Sequence, residues 1–176
     1  MSQTVVIYRS KHGHTQKIAE MISEELNADL FSSKDINKID TSKYDSFVFG
    51  SSIYCGMISG KKELSKLYPM INGKKLAFFT VGLTELDKEE YYTKLIDMNF
   101  ANSEIKNKAM IFHFLGGINY KSLGFLSRKI IGMIVKQTEL KENKTENDKR
   151  LLKVMTEEVN LDSGDSVAQL IEYIQF

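Results

Sequence analysis

Short runs of apolar residues alternate with segments of helical periodicity along most of the chain. The clearest run, TVVIY over residues 4–8, is continuous and rich in β-branched residues, which is typical of a strand covered on both faces. Further runs that predict strands lie at 28–33, 46–52, 74–82 and 108–117. The alternation of strands and helices predicts an α/β fold, a three-layer, doubly wound, five-stranded parallel sheet.

The helical segments are recognised by apolar residues that recur on one face. In the first of them the shared face carries Ile18, Met21, Ile22 and Leu26. Residues 60–71 are expected to form one helix, with Leu64, Leu67 and Ile71 pointing inward. Two more helices are expected at 88–100 and 165–176, and an additional apolar and basic segment, 118–136, follows the fifth strand.

Composition and charge narrow the class of protein. The 176 residues fit one domain over 1–176, without repeats. With 24 Lys plus Arg against 23 Asp plus Glu, the formal charge of +1 lacks the basic excess of a nucleic-acid-binding protein. Cys55 is the single cysteine, so an intramolecular disulfide is excluded. Since no secretory signal pattern opens the chain and no apolar run reaches roughly 18 residues, we expect a cytoplasmic protein.

In a doubly wound sheet the ligand binds at the carboxyl ends of the strands, near the switch in strand order. The first such end is SKHGHT, residues 10–15, between a strand and a helix. The free N–H groups of the helix terminus favour a phosphate there, with hydroxyl groups on Ser10 and Thr15 and close backbone approach at Gly13. The alternative interpretation is that Ser10 and Thr15 cap the helix.

The two histidines of this loop, His12 and His14, do not predict a metal site. No carboxylate lies near them in the sequence, and the third histidine, His113, falls within a predicted strand. We therefore expect His12 and His14 to donate backbone N–H groups to the anion.

Two further strand ends are suited to a flat, conjugated ring. At the end of the third strand lie Ser51, Ser52, Ile53 and Tyr54, where the tyrosine is placed to stack on the ring and backbone amides are placed to reach its polar edge. At the end of the fourth strand, Gly82, Leu83 and Thr84 are expected on the other side of the ring. An ordinary loop with a surface tyrosine is the alternative for the first, and a packed thiol is expected for Cys55.

The three loops together resemble the flavodoxin family. The phosphate loop of that family follows T/S-x-T-G-x-T, and SKHGHT matches it at Ser10, Gly13 and Thr15 but departs from it at His12. Tyr54 falls where the family places an aromatic residue after the third strand. The resemblance implies non-covalent FMN, with its phosphate held by residues 10–15 and its ring between residues 51–54 and 82–84, and it implies no catalytic side chain.

Within that family, two segments resemble the menaquinone-dependent protoporphyrinogen oxidase subgroup. They are GSSIYCGMISGKKELSKLY, residues 50–68, and FLGGINYKSLGFLSRKIIGMIVK, residues 114–136. This likeness implies an FMN-dependent oxidation of protoporphyrinogen IX in heme biosynthesis, with a quinone as acceptor. Two alternatives stay open: an electron-transfer flavodoxin that works with a redox partner protein, and a flavin-free binding module.

The segment 118–136 has two interpretations of its own. Its apolar residues are interleaved with Lys121, Arg128, Lys129 and Lys136, which is typical of a helix lying on an anionic membrane surface or beside a hydrophobic substrate such as a porphyrinogen. In the other interpretation the segment covers the sheet and belongs to the core. The first would place the protein at the inner face of the cell membrane.

Overall fold

A parallel β-sheet forms the centre of the molecule. The computed structural model describes residues 3–84, 87–101, 103–116, 132, 133, 135–146, 148, 149, 152 and 164–176. Within them the strands are β1 (Thr4–Arg9), β2 (Asp29–Ser32), β3 (Ser46–Tyr54), β4 (Met57–Ile58), β5 (Lys75–Gly82) and β6 (Met110–Leu115). The sheet order is β2-β1-β3-β5-β6 with all neighbours parallel, which confirms the five predicted strands.

The sixth strand, β4, was not predicted. It has two residues and pairs antiparallel with the end of β3, with Tyr54 opposite Met57 and Ile53 opposite Ile58. A strand of two residues has no periodicity by which a sequence pattern could reveal it.

The α-helices whose bounds are described are α1 (His14–Leu26), α2 (Lys61–Leu67), α3 (Glu89–Phe100), α4 (Ile105–Lys108) and α5 (Gly164–Gln175). The single helix predicted over 60–71 is wrong in its last four residues, because α2 gives way to a 3₁₀ turn over Tyr68–Ile71. Pro69 lies in that turn, and a proline has no N–H with which to continue an α-helix. Leu64, Leu67 and Ile71 are buried as expected.

The two faces of the sheet bury separate apolar clusters. Because side chains alternate along a strand, Phe47 and Phe49 of β3 face one cluster while Val48 faces the other. The first cluster includes apolar side chains of α2 and α3, and the second includes those of α1 and α5. Helices therefore cover both faces, as the three-layer prediction requires.

The buried face of α1 differs slightly from the predicted one. Thr15, Ile18, Ala19 and Ile22 are buried, whereas Met21 is 42% exposed and Leu26 only partly buried. The buried positions follow the i, i+3, i+4, i+7 spacing of a helix face, and Met21 lies at its margin.

Most of the predicted segment 118–136 lies outside the described residues; its residues 132, 133, 135 and 136 are helical, and so are residues 137–139. Across the described ranges, every helix is too short or too polar to cross a bilayer.

Candidate functional site

One cleft at the carboxyl ends of β1, β3 and β5 brings the three predicted loops together. It is lined by Ser10, His12, His14, Thr15, Ser52, Ile53, Tyr54, Val81, Gly82, Leu83 and Gly116. Nine of the twelve predicted site residues are in this lining, and Gly13, Ser51 and Thr84 belong to the same loops without lining the cleft. The cleft lies where the strand order reverses between β1 and β3, which is where a doubly wound sheet leaves a crevice.

The loop over residues 10–15 leaves the start of α1 uncapped. Gly13 has a φ of 92°, a left-handed conformation that favours glycine, and α1 begins at the next residue. Ser10 Oγ accepts the Gly13 N–H at 3.0 Å, but no side chain caps the helix itself. Lys17 is the first residue of α1 whose N–H meets a carbonyl oxygen, that of Gly13. In the described residues the N–H groups of 14–16 have no acceptor, so the capping alternative is not supported.

Buried polar atoms without partners concentrate in the same place. The side chain of Thr15 is 1% exposed and that of Ser51 is 0% exposed, and neither hydroxyl oxygen has a hydrogen-bond partner. His12 Nε2 and His14 Nδ1 are buried without partners as well. In the described part of the chain the fifth such atom is Ser33 Oγ, just beyond β2. Buried polar groups are normally paired, so four unpaired atoms in or beside one cleft indicate a site for a polar ligand.

Burial favours the neutral form of both histidines of the loop. Desolvation by burial lowers the pKa of His12, and Lys11 lowers it further. Desolvation likewise lowers the pKa of His14, with smaller contributions from Lys17 and His12. A neutral imidazole carries one N–H donor and one acceptor, so each ring is able to donate one hydrogen bond to an oxygen of an anion.

Tyr54 lies at the mouth of the cleft, and one face of its ring is covered. The Lys11 ammonium lies 3.3 Å from the centre of the Tyr54 ring, and the His12 ring lies 6.4 Å away in a tilted arrangement. This cation–π contact is a modest one at an exposed site. A flat ligand that stacks on the same face of Tyr54 therefore displaces Lys11.

A tight hairpin follows Tyr54. Cys55 and Gly56 form the two-residue turn between β3 and β4, with φ values of 49° and 73°. Two successive positive φ angles are the signature of a type I′ turn, in which Asn-Gly is preferred. The Cys55 side chain is exposed at the tip, so the expectation of a packed thiol is wrong.

The last residue of β5 packs directly against the end of β3. A Cβ atom added to Gly82 would lie 2.9 Å from Ile53 Cδ1, so glycine permits this close approach. The Gly82 carbonyl accepts the Gly116 N–H at 2.7 Å. Two residues further along, the Thr84 carbonyl accepts a hydrogen bond from the Tyr92 hydroxyl at 2.8 Å.

A more spacious cavity lies between α3, α4 and β6, and it contains none of the predicted site residues. Its lining includes Asp87, Tyr92, Asp97, Lys106 and His113, and Asp97 is paired with Lys106 at 3.1 Å. In the described residues no group of three metal-ligating side chains is present there or elsewhere. Because the free donors lie in the cleft, the cleft is the candidate site.

Four residues at or near the cleft are absent from the predicted site. Val81 and Gly116 line the cleft, Tyr92 reaches the loop after β5, and Asn99 reaches the hairpin of β3 and β4. Tyr92 and Asn99 lie on α3, and a polar residue in a helix carries no sequence signal of such a distant contact.

Comparison with known proteins identifies the family. The family model described as a flavodoxin domain matches residues 5–145. An uncharacterized protein of Methanocaldococcus jannaschii is 33% identical over 99 residues, which is 54% of this chain and 64% of that protein. The chain thus matches less than two thirds of the length of this curated relative.

Several solved structures are similar to the fold at a low level. Flavodoxin 2 from Bacillus cereus has 15% identity and a TM-score of 0.48, with 96% of this chain and 99% of that one covered. A flavodoxin from the domain Archaea has 15% identity and a TM-score of 0.45, with coverages of 88% and 96%. A flavoprotein in complex with FMN from Lactobacillus acidophilus has 16% identity and a TM-score of 0.46, with coverages of 65% and 93%.

The family assignment depends on the family model, which spans all three loops of the cleft. The expected flavodoxin-like family is thereby confirmed, while the protoporphyrinogen oxidase subgroup gains no support from these comparisons and stays a prediction. This chain belongs to the flavodoxin domain family.

Proposed function

We propose that this chain is an FMN-binding flavoprotein that transfers electrons. The observation that carries the proposal is the set of unpaired donors in the cleft. The N–H groups of residues 14–16 have no acceptor among the described residues, and the buried Thr15 hydroxyl has no partner. A phosphate group satisfies such donors, and the positive end of the α1 dipole favours its negative charge.

The residues present fit the two ends of FMN. Ser10, Thr15, the imidazoles of His12 and His14 and the first N–H groups of α1 would hold the phosphate. Ser51, Ser52, Ile53 and Tyr54 on one side and Gly82, Leu83 and Thr84 on the other would hold the ring. When bound, FMN supplies the electron-transfer chemistry, and these residues orient it and exclude water from its apolar faces.

The make-up of the cleft supports a carrier of electrons. Among the described residues that line it there is no carboxylate, lysine, arginine or cysteine, and its two histidines, His12 and His14, belong to the loop expected to hold the phosphate. A protein that only passes electrons needs no group placed for proton transfer to an organic substrate. Such a role requires a redox partner protein, and a formal charge of +1 provides little long-range electrostatic steering towards it.

The second candidate function is oxidation of protoporphyrinogen IX with a quinone acceptor. It is supported by the likeness of residues 50–68 and 114–136 to that subgroup, and residues 117–131 and 134 lie outside the described part of the chain. In this candidate the basic and apolar residues of 118–136 would contact the porphyrinogen or the inner face of the cell membrane, with Arg128 and Lys129 facing the propionates.

Two assays on the purified protein separate the candidates. Flavin absorption bands, retained through gel filtration after addition of FMN, are expected for both, and a colourless protein would contradict both. We then expect the reduced holoprotein to pass electrons to an acceptor protein while a mixture with protoporphyrinogen IX and menaquinone shows no rise in porphyrin fluorescence. A rise that depends on both the protein and the quinone would favour the oxidase instead.

A further inference from the structure

Helix α3 sends two buried polar side chains towards the two loops that are expected to enclose the flavin ring. Tyr92 is 4% exposed and Asn99 is 2% exposed. They are seven residues apart, so they lie on the same face of the helix, two turns from each other. One contacts the loop after β5, and the other contacts the hairpin after β3.

The ring of Tyr92 is held by stacking, and its hydroxyl makes a hydrogen bond to the loop after β5. Its ring stacks on that of His113, with 3.9 Å between the ring centres and 20° between the planes. His113 is itself held on β6 by a hydrogen bond of 2.6 Å between its Nδ1 and Thr80 Oγ1. The Tyr92 hydroxyl then donates to the Thr84 carbonyl at 2.8 Å. The position of this loop therefore depends on an oriented tyrosine.

Asn99 makes three hydrogen bonds through one side-chain amide. Its Oδ1 accepts the Ile58 N–H at 3.1 Å, and its Nδ2 donates to the Gly56 carbonyl at 3.2 Å and to the Leu95 carbonyl at 2.8 Å. Two of these bonds hold the turn and the returning strand of the hairpin. Tyr54 lies in that hairpin, so the orientation of the hairpin determines the position of the tyrosine ring.

We propose that Tyr92 and Asn99 are positioning residues, through which α3 fixes both ring-binding loops before the flavin enters. The proposal rests on the function proposed above. A site whose loops are already ordered loses less conformational entropy when the ligand binds, so it binds the ligand more tightly. Neither side chain lines the cleft, so the effect reaches the flavin through Thr84 and the hairpin.

The first test replaces Tyr92 with phenylalanine and uses Tyr91→Phe as the matched control. Both changes remove one hydroxyl from α3, and the two rings contact each other edge to face at 5.1 Å. The Tyr92 hydroxyl holds Thr84, and for Tyr91 no such bond to the loop exists among the described residues. We expect Tyr92→Phe to weaken FMN binding about fivefold and Tyr91→Phe to leave it unchanged, measured by flavin fluorescence titration.

The second test replaces Asn99 with leucine, with Ile96→Ala as a control that destabilises the same face of α3 without removing a polar contact. We expect Asn99→Leu to weaken FMN binding about tenfold or more, because both hairpin bonds are lost. Asn99→Ala repeats the measurement if the leucine variant does not fold. The flavin reduction potential, determined by dye equilibration, is expected to shift in Tyr92→Phe and Asn99→Leu and not in the two controls.

Amide hydrogen exchange of the flavin-free protein separates this inference from the proposed function. We expect faster exchange at residues 54–58 in Asn99→Leu and at 82–84 in Tyr92→Phe than in the controls. If the wild-type chain does not bind FMN, the proposed function fails while exchange still decides whether α3 holds the loops. If the wild-type chain binds FMN and both variants match their controls in affinity, potential and exchange, the positioning role is overturned.

Discussion

The Thr15 hydroxyl is buried and unpaired at the start of α1, although the side chain occupies a position that apolar residues fill elsewhere on the same face. An unpaired buried hydroxyl costs stability, so its presence needs a compensating function. Thr15→Val keeps the shape of the side chain. Without FMN, we expect the free energy of unfolding of the variant to equal that of the wild type or to exceed it by up to about 1 kcal/mol.

The same substitution should weaken FMN binding about tenfold, because a hydrogen bond to a charged oxygen is lost. Urea unfolding without FMN and fluorescence titration with FMN give the two quantities. Thr93→Val, which removes an exposed hydroxyl from α3, is the control and should change neither. Unchanged FMN affinity in Thr15→Val would remove Thr15 from the phosphate site.

His113 makes the stability of the fold depend on pH. Burial lowers the pKa of His113 from 6.5 to about 4. Between these two values the unfolded chain binds more protons than the folded chain, so the free energy of unfolding decreases as the pH falls from about 6.5 to about 4. The loss attributable to this residue is about 3 kcal/mol and stops below pH 4.

The contribution of His113 is separable from that of the other histidines. His12 and His14 also have lowered pKa values, so they too decrease the free energy of unfolding as the pH falls. Their contribution is the same in the wild type and in a variant that lacks only His113. His113→Phe keeps a ring against Tyr92 and removes the titration. Urea unfolding at pH 4.5 and pH 7.5 should show a smaller pH-dependent loss in the variant, and equal losses in the two proteins would contradict the burial of a neutral imidazole.

Cys55 is poorly suited to its position in the turn between β3 and β4. Cys55 adopts a φ of 49°, which costs a residue with an ordinary Cβ roughly 1–2 kcal/mol and asparagine less. Cys55→Asn creates the Asn-Gly pair preferred in a type I′ turn. We expect it to raise the free energy of unfolding by roughly 0.5–1 kcal/mol, while Cys55→Val lowers it, in urea unfolding. The reverse order would mean that the turn is not of this type.

A structural feature can be predicted from the sequence when the residues that cause it lie close together in the chain. The five parallel strands are continuous apolar runs, since both faces of the sheet are covered. The break after α2 also has a local cause, Pro69, although the prediction of one helix over 60–71 missed it. The burial of Asn99 has a distant cause, because its partner Ile58 lies 41 residues away in the chain.

The assembled sheet explains why the loops after β1, β3 and β5 form one site. Parallel strands bring their carboxyl ends to one edge, and the reversal in strand order opens the crevice there. This convergence followed from the alternation of strands and helices alone. The contacts inside the cleft did not: Lys11 over Tyr54 and Ile53 against Gly82 are set by packing between segments that are far apart in sequence.

The central claim is that the first turn of α1 and the loop before it hold the phosphate of FMN. Parallel titrations of the flavin-free protein with FMN and with riboflavin, which lacks the phosphate, test it most directly. We predict one FMN per chain, bound at least about 100-fold more tightly than riboflavin, which corresponds to about 2.7 kcal/mol from the phosphate contacts. Equal affinities for the two flavins, or no binding of either, would contradict the account.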